Sequence, residues 1–371
     1  MVTPLATLLP EIALNWKKMV LTDNLFRDLL RAASLAPSAD NMQPWEFRRQ
    51  NDTIEVFYAK SRMLATDVGA MFTWVGIGAA LQNILIEAAA KSLNGVIEYN
   101  NVQQINKPVA VIRFSLDSRN DRLSKWIPLR YTNRSPYNPL PLSFETISNL
   151  SNSINGFDAH IHWTTRASDF KQMAFMDANS SYIRLEHKPL HDELFDILRF
   201  TRKEIETIRY GLTFESLEVP PFAVFFARKL QYWSFNRLVS KLGIGRLVAK
   251  QLSYKLQAAG AICLITALRR DSIAYMQAGR AMEQLWLTAT ADGLSVQPYG
   301  VLPQYLTKVS IEPETFLPKY VNTIEGHRKR FNSIFKEAIN EFPVIVLRIG
   351  NAGKESVRNT VRLGFEQIVR N

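Results

Sequence analysis

The sequence predicts an α+β protein built from two similar halves, and three observations carry that expectation. The chain has 371 residues, 47% hydrophobic and 11% aromatic, enough to bury a sizeable core. Short apolar runs that suit strands alternate with longer helical patterns. The order of these elements then returns. Residues 78–86 lie against residues 279–287, after which Ala88 meets Ala289, Ala90 meets Ala291 and Leu93 meets Leu294 without a gap. Apolar residues match apolar ones throughout, except where Ala79 meets Arg280. Downstream, residues 108–113 resemble residues 343–348. A shared order of elements indicates an internal duplication, although two core helices can also look alike by composition alone.

Taken in order, residues 24–35 place Leu25, Leu29, Ala32 and Ala33 at helical spacing, with Asp23 as N-cap and Pro37 as the stop. Residues 54–58 alternate as a strand does. Residues 67–93 form a long apolar helix ended by Asn94-Gly95, and residues 109–115 a strand suited to burial on both faces. In the second half, residues 261–268 read as a buried strand, 273–291 as an apolar helix ended by Asp292-Gly293, and 343–349 as another buried strand. The halves span residues 24–120 and 126–360. Two insertions break the symmetry, both in the second half. One, at residues 178–256, is helical, aromatic and basic; the other, at 304–340, includes most of a charged helix around 324–341.

Cys263 is the one cysteine, so a disulfide or a cysteine-based zinc site within a single chain is excluded; its apolar neighbours suit a buried strand thiol. The first ten residues carry no Lys or Arg and show no secretory pattern. No run approaches the ~18–20 apolar residues of a membrane span. A soluble, cytoplasmic protein is expected. The net charge is +11, which favours anionic partners. Much of that excess is local: between Glu218 and Asp271 there is no acidic residue but there are nine Lys and Arg, among aromatics such as Phe225, Phe226, Tyr232, Trp233 and Phe235. This stretch suits a solvated helical face with an aromatic core side, a lid over a pocket, or, across residues 222–255, an interfacial segment on an anionic membrane. No nucleic-acid-binding module accompanies the charge, so nucleic acid is not an expected partner. His160 and His162 share one strand face, but no Cys or third His lies near them in sequence, so no metal site is expected. No G-x-G-x-x-G follows a strand, so no Rossmann nicotinamide site is indicated.

Two motifs carry chemistry. Residues 36–47 read APSADNMQPWEF, between a helix and a strand. Pro37 and Pro44 fix the backbone of a short polar loop, holding its amides and the Ser38 and Asn41 side chains for the edge of a planar heterocycle, and Trp45 can anchor it. Residues 130–137 read RYTNRSPY. Two guanidinium groups flanking a threonine hydroxyl suit a phosphate monoester.

The first motif resembles the nitroreductase superfamily signature A-P-S-x-x-N-x-Q-P-W at every fixed position, and the second resembles that family's R-x-S/T-x-R segment. The resemblance implies an α+β nitroreductase-like fold around a central antiparallel or mixed sheet. It also implies FMN, with the flavin held by Pro37, Ser38, Ala39 and Asn41 and its phosphate by Arg130, Tyr131, Thr132 and Arg134. In ordinary members the loop and the Arg segment come from different subunits of a homodimer. Here the first half has only the loop and the second only the Arg segment, since its own helix-to-strand turn at residues 151–157 lacks Q-P-W. Two fused halves would therefore form an intramolecular pseudo-dimer with one composite site. The arrangement is similar to the Acg-type two-repeat branch, whose members sequester flavin under a lid. Tyr299 and Gly300 match where the family places amides near flavin N5, and Lys354, with Arg358 as a weaker match, where it often places a phosphate contact. The implied activity is two-electron transfer through flavin N5 from NAD(P)H, as a transient donor, to a small-molecule substrate, by a monomer or homodimer. No side chain is an obvious acid or base, and the protein's part is positioning and electrostatic tuning. The competing expectations are a non-catalytic FMN-sequestering protein and a membrane-surface protein that uses the fold as a scaffold.

Overall fold

Helix α1 (Asp23–Ser34) starts where the Thr22 hydroxyl accepts a bond from the Leu25 amide, so Thr22 rather than Asp23 is the N-cap. Asp23 sits in the first turn and pairs with Arg49. The chain then forms the hairpin of β1 (Trp45–Gln50) and β2 (Thr53–Tyr58). This computed structural model describes residues 20–100, 107–117, 121–219, 221–353 and 360–370, so the extreme N-terminal stretch, Lys354 and Arg358 lie outside the described residues.

Helix α2 (Met71–Ala90) is shorter than the expected 67–93. Gly69 and Ala70 adopt left-handed backbone, and both Asp67 carboxylate oxygens accept from the first helical amides, Phe72 and Thr73, at 3.0 Å. At the other end Ser92 turns the chain with φ 59°, so Asn94 and Gly95 do not cap the helix but lie in β3 (Leu93–Tyr99). β3 pairs with β4 (Ala110–Leu116), and the sheet order is β1-β2-β4-β3.

The second half repeats this plan. Helix α3 (Phe144–Asn152) and β5 (Ala159–Thr164) stand for α1 and β1. β8 (Ala261–Ala267), α10 (Ser272–Ala291), β9 (Ser295–Tyr299) and β10 (Phe342–Gly350) stand for β2, α2, β3 and β4. Their sheet runs β5-β8-β10-β9, the same order as in the first half, and is antiparallel throughout. The expected central sheet is therefore two four-stranded sheets, one per half. Cys263 is fully buried in β8, as expected.

The first insertion is larger than the sequence suggested, because it fills the whole connection that is a tight hairpin turn in the first half. It holds α4 (Ala167–Glu186), α5 (Lys188–Ile197), β6 (Leu198–Arg199), α6 (Arg202–Ile208), β7 (Leu212–Thr213), α7 (Pro221–Leu230), α8 (Trp233–Lys241) and α9 (Ile244–Ser253). The second insertion supplies α11 (Val301–Ile311) and α12 (Pro318–Ile334). A last helix, α13 (Phe365–Ile368), crosses back to the first half, where Val369 bridges to Phe47 and the Arg370 amide donates to Phe47 at 2.7 Å.

The halves join where α2 crosses α10. A Cβ added at Gly78 would stand 2.0 Å from the Met276 carbonyl oxygen, and one at Gly279 would stand 2.0 Å from the Val75 carbonyl oxygen. Val75 and Met276 each lie three residues before their helix's glycine, so the contact is reciprocal. Beside it, Gln82 bonds Gln284 at 2.8 Å, and the equivalent pair places Asn83 against Glu283. Contrary to the expectation from sequence, residues 68–90 are long and apolar enough to cross a membrane, but 83% of that window is buried inside the protein, which marks a core helix. The close crossing has a direct test. Gly78→Ala and Gly279→Ala are each expected to cost about 1–3 kcal/mol or more through overpacking against backbone. Unchanged urea-unfolding midpoints would contradict the crossing.

Candidate functional site

The loop after α1 is strained in one place. Asp40, Asn41 and Gln43 all have positive φ, at 48°, 56° and 51°. Asp and Asn tolerate this conformation, but Gln does not favour it, and such residues cost about 1–3 kcal/mol each unless the surroundings enforce them. Here they do. The Ser38 hydroxyl accepts from the Gln43 amide at 2.9 Å, and Arg62 donates to the Gln43 and Trp45 carbonyls, both at 2.9 Å. The Gln43 side chain donates to the Arg209 carbonyl at 3.0 Å and accepts from the Leu363 amide at 2.9 Å. Trp45 is fully buried, and the loop rests on α2 at Gly76, where a Cβ would meet the Ser38 Cβ at 3.3 Å.

The second motif runs beside β9. Thr132 bridges to Val296, and the Asn133 amide donates to the Val296 carbonyl at 3.0 Å. The Arg segment thus lies next to the strand that ends at Tyr299. Gly300 follows, and there a Cβ would strike the Phe72 ring of the first half at 2.6 Å. Tyr131 accepts a long bond from Asn133 at 3.4 Å.

The two arginines engage different partners. Arg134 donates to the Ser216 carbonyl at 2.6 Å and lies in the field of Glu218, Tyr299 and Asp40, so it faces the loop of the first half. Lys255 and Arg348 join it: Lys255 lies 3.6 Å from Glu218, and burial, with Arg348 and Arg134 alongside, lowers its pKa in spite of that carboxylate. Arg348 is fully buried, donates to the Lys255 and Ser135 carbonyls at 2.6 and 2.8 Å, and stacks 3.7 Å over the Tyr137 ring. Around this cluster the Tyr299 hydroxyl, Gln297 Oε1 and Arg348 Nε are buried with no hydrogen-bond partner among the described residues. Burial pushes Tyr299 and Tyr137 upward, so both phenols stay protonated and can donate.

Arg130 sits elsewhere, under the loop. It pairs with the buried Glu283 of α10 at 3.0 Å, donates to the Leu35 carbonyl at 2.7 Å and stacks over Trp286 at 4.5 Å. Arg362 donates to the same carbonyl at 3.2 Å and to Asn41 Oδ1 at 2.9 Å. Burial raises Glu283 to about 7 against the opposing effect of Arg130, and lowers Arg362 to about 9, with Arg130 adding to it. Arg130 is engaged at the junction of the halves, and Arg134, Lys255 and Arg348 form a second cationic group.

A strap from the first insertion covers the loop. The Asn41 side chain donates to the Gly211 and Val361 carbonyls at 3.1 and 3.0 Å, and the Gly211 amide returns a bond to the Asn41 carbonyl at 3.2 Å. Arg184 of α4 pairs with Asp40 at 2.9 Å. Residues 209–218 therefore touch both the loop and Arg134. Among the expected site residues, Pro37, Ser38, Ala39 and Asn41 lie in the one loop, Tyr131, Thr132 and Arg134 run beside the strand that ends at Tyr299, and Arg134 lies in the field of Asp40 of that loop. The structure adds Arg62, Lys255, Arg348 and Arg362, which sequence reasoning missed. Arg348 was visible only as a charge inside an apolar strand, a pattern that marks a buried and paired guanidinium.

Residues 12–102 match a family model described as "Putative TM nitroreductase". An uncharacterized protein of Mycobacterium tuberculosis is 23% identical over 332 residues, 88% of this chain, and the chain spans about half of that relative's length, 46%. Among solved structures, the FMN-dependent nitroreductase NfnB of Mycobacterium smegmatis in complex with NADPH is 13% identical, covers 67% of this chain and 96% of its own, and has a TM-score of 0.38. An FMN-dependent nitroreductase of Clostridium difficile is 11% identical, covers 66% of this chain and 97% of its own, also at 0.38.

The Arg130–Glu283 pair gives a prediction. Arg130→Met strands a buried carboxylate and is expected to destabilise the protein by about 3–5 kcal/mol, whereas adding Glu283→Leu restores most of that loss. Urea unfolding measures both, and a double variant as unstable as the single one would contradict the pairing.

Proposed function

We propose that this chain, whose residues 12–102 match the "Putative TM nitroreductase" family model, has the nitroreductase fold, holds one non-covalent FMN in the seam between its halves and works as an oxidoreductase of that type. One observation carries the reading. Asp40 of the strained loop lies in the field of Arg134 of the second half, and beside Arg134 the Tyr299 hydroxyl and Arg348 Nε are buried without a partner among the described residues. The residues fit the group: a planar heterocycle takes loop amides and the Ser38 hydroxyl, and a phosphate takes guanidinium and ammonium groups. Bound FMN would supply two-electron transfer from a nicotinamide donor to a small acceptor.

The chain's own part is positioning. The loop's geometry is fixed before anything binds, because Ser38, Arg62 and Gln43 already hold it. Arg134, Lys255 and Arg348 offer the positive charge that a phosphate needs, and Tyr299 stays neutral and offers a hydroxyl. Residues 209–218 bond to both the loop and Arg134, so in this reading they cover the flavin and would keep water from it. That closure also favours a second reading, in which the protein keeps its flavin rather than turning it over.

The test is the visible spectrum of the purified protein before and after NADPH, together with the flavin content of Arg134→Gln. A flavin spectrum that bleaches with NADPH and returns with a quinone or nitroaromatic acceptor supports the enzyme. A spectrum that NADPH leaves unchanged supports sequestration. Arg134→Gln is expected to lose most of its flavin, while its flavin-free form melts close to the flavin-free wild type. A colourless wild type that cannot take up FMN sinks both readings.

The membrane reading keeps one specific observation. Seven large apolar side chains in residues 225–254, among them Phe225, Tyr232, Leu242 and Leu247, are exposed beside the basic residues of α7, α8 and α9. Exposed apolar groups interleaved with Lys and Arg suit an anionic bilayer surface. Co-sedimentation with phosphatidylserine vesicles but not with phosphatidylcholine vesicles is expected, and equal or absent sedimentation would remove the proposal.

A further inference from the structure

We propose that His160, His162 and Glu341 form a divalent-metal site of the zinc class on the outer edge of the second sheet, away from the seam. The sequence shows only an H-x-H on a strand, two ligands where zinc needs three or four. The fold supplies the third from 179 residues downstream of His162.

The register explains how the three groups meet. β5 is an edge strand, and its alternation puts His160 and His162 on one face. On the neighbouring β8, Thr266 stands opposite His160 on one side and Pro343 of β10 on the other. Glu341 lies two residues before Pro343 and so extends from the same face as Thr266. Its carboxylate then reaches over β8 to both histidines.

The donor atoms are already gathered. His160 Nδ1 lies 2.6 Å from Glu341 Oε1, and His162 Nε2 lies 2.7 Å from Glu341 Oε2. One ligand atom from each residue falls within 4.8 Å of the others. Zinc bonds of about 2.0–2.2 Å to nitrogen and oxygen put two ligand atoms at most about 4 Å apart. Small side-chain rotations are therefore enough to admit an ion in place of the two hydrogen bonds. The Thr266 hydroxyl donates to Glu341 Oε2 at 2.5 Å and holds the carboxylate at the spot, the orienting role that outer partners play around metal ligands. His160 is half exposed, which leaves an entry path and room for water in a fourth position. Two imidazoles and one carboxylate are borderline ligands that favour zinc and similar transition ions over magnesium or calcium, which prefer oxygen alone. Occupied, the site would clip the edge strand to the start of β10 and stiffen the second half.

Zinc titration of the metal-stripped, tag-free full chain tests this, followed by calorimetry and by thermal unfolding. The wild type is expected to bind one zinc per chain and to melt higher with zinc than without. His162→Ala and Glu341→Gln should weaken binding at least about tenfold and lose the melting shift, and Thr266→Val should weaken it by about 10–100-fold. His160→Ala guards against misfolding, because its half-exposed ring can be removed without opening the core; it too should lose the site while melting normally in the absence of zinc. A folded wild type that shows no saturable zinc binding, or equal binding in the His160 and Glu341 variants, overturns the proposal and leaves the three groups as a hydrogen-bonded brace.

Discussion

The reciprocal approach of two helices at Gly78 and Gly279 governs the rest of the molecule. Each glycine admits the other helix's backbone where a Cβ would stand 2.0 Å from a carbonyl oxygen. That closeness fixes the halves against each other along α2 and α10, and every group in the seam takes its place from it. The neighbouring polar pairs, Gln82 with Gln284 and Asn83 with Glu283, repeat the same symmetry. Symmetry then ends: the strained loop belongs to the first half, and Arg134, whose field reaches Asp40 of that loop, belongs to the second.

Charge in the seam is arranged in two groups with different work. Arg130, Glu283 and Arg362 lie under the loop, where burial pushes the carboxyl and the Arg362 guanidinium toward neutrality and the ion pair opposes it. Such a junction specifies how the halves and the returning C-terminal segment fit, more than it adds stability. Arg134, Lys255 and Arg348 form the other group, near buried hydroxyl and amide oxygens that have no partner among the described residues. Those orphaned groups are what a ligand would satisfy, since buried polar atoms without partners are rare and cost about 1–3 kcal/mol each.

The sequence was most legible where local rules decide. The helix-to-strand loop, the paired helices and the last strand of each half all stood at or close to the positions that their patterns indicated, because periodicity and proline placement are local signals. The failures have physical reasons. Asn94-Gly95 reads as a helix stop, yet Ser92 had already turned the chain, and the pair went into β3 through its pairing with β4. The partner of Arg130, Glu283, comes from a helix far along the chain and could not be read from its motif. Long-range partners of this kind, like Glu341 for His160 and His162, leave no trace in spacing. The repeat gave the shared succession of elements, but not the strand order or that each half would close its own sheet.

The central claim is that one flavin site is assembled within one chain from unlike halves. The ratio of FMN to polypeptide in the reconstituted protein, measured by native mass spectrometry, tests it most directly. The account predicts one FMN per chain, whether the chain is found alone or paired. Two FMN per chain, or one FMN for every two chains, would contradict it.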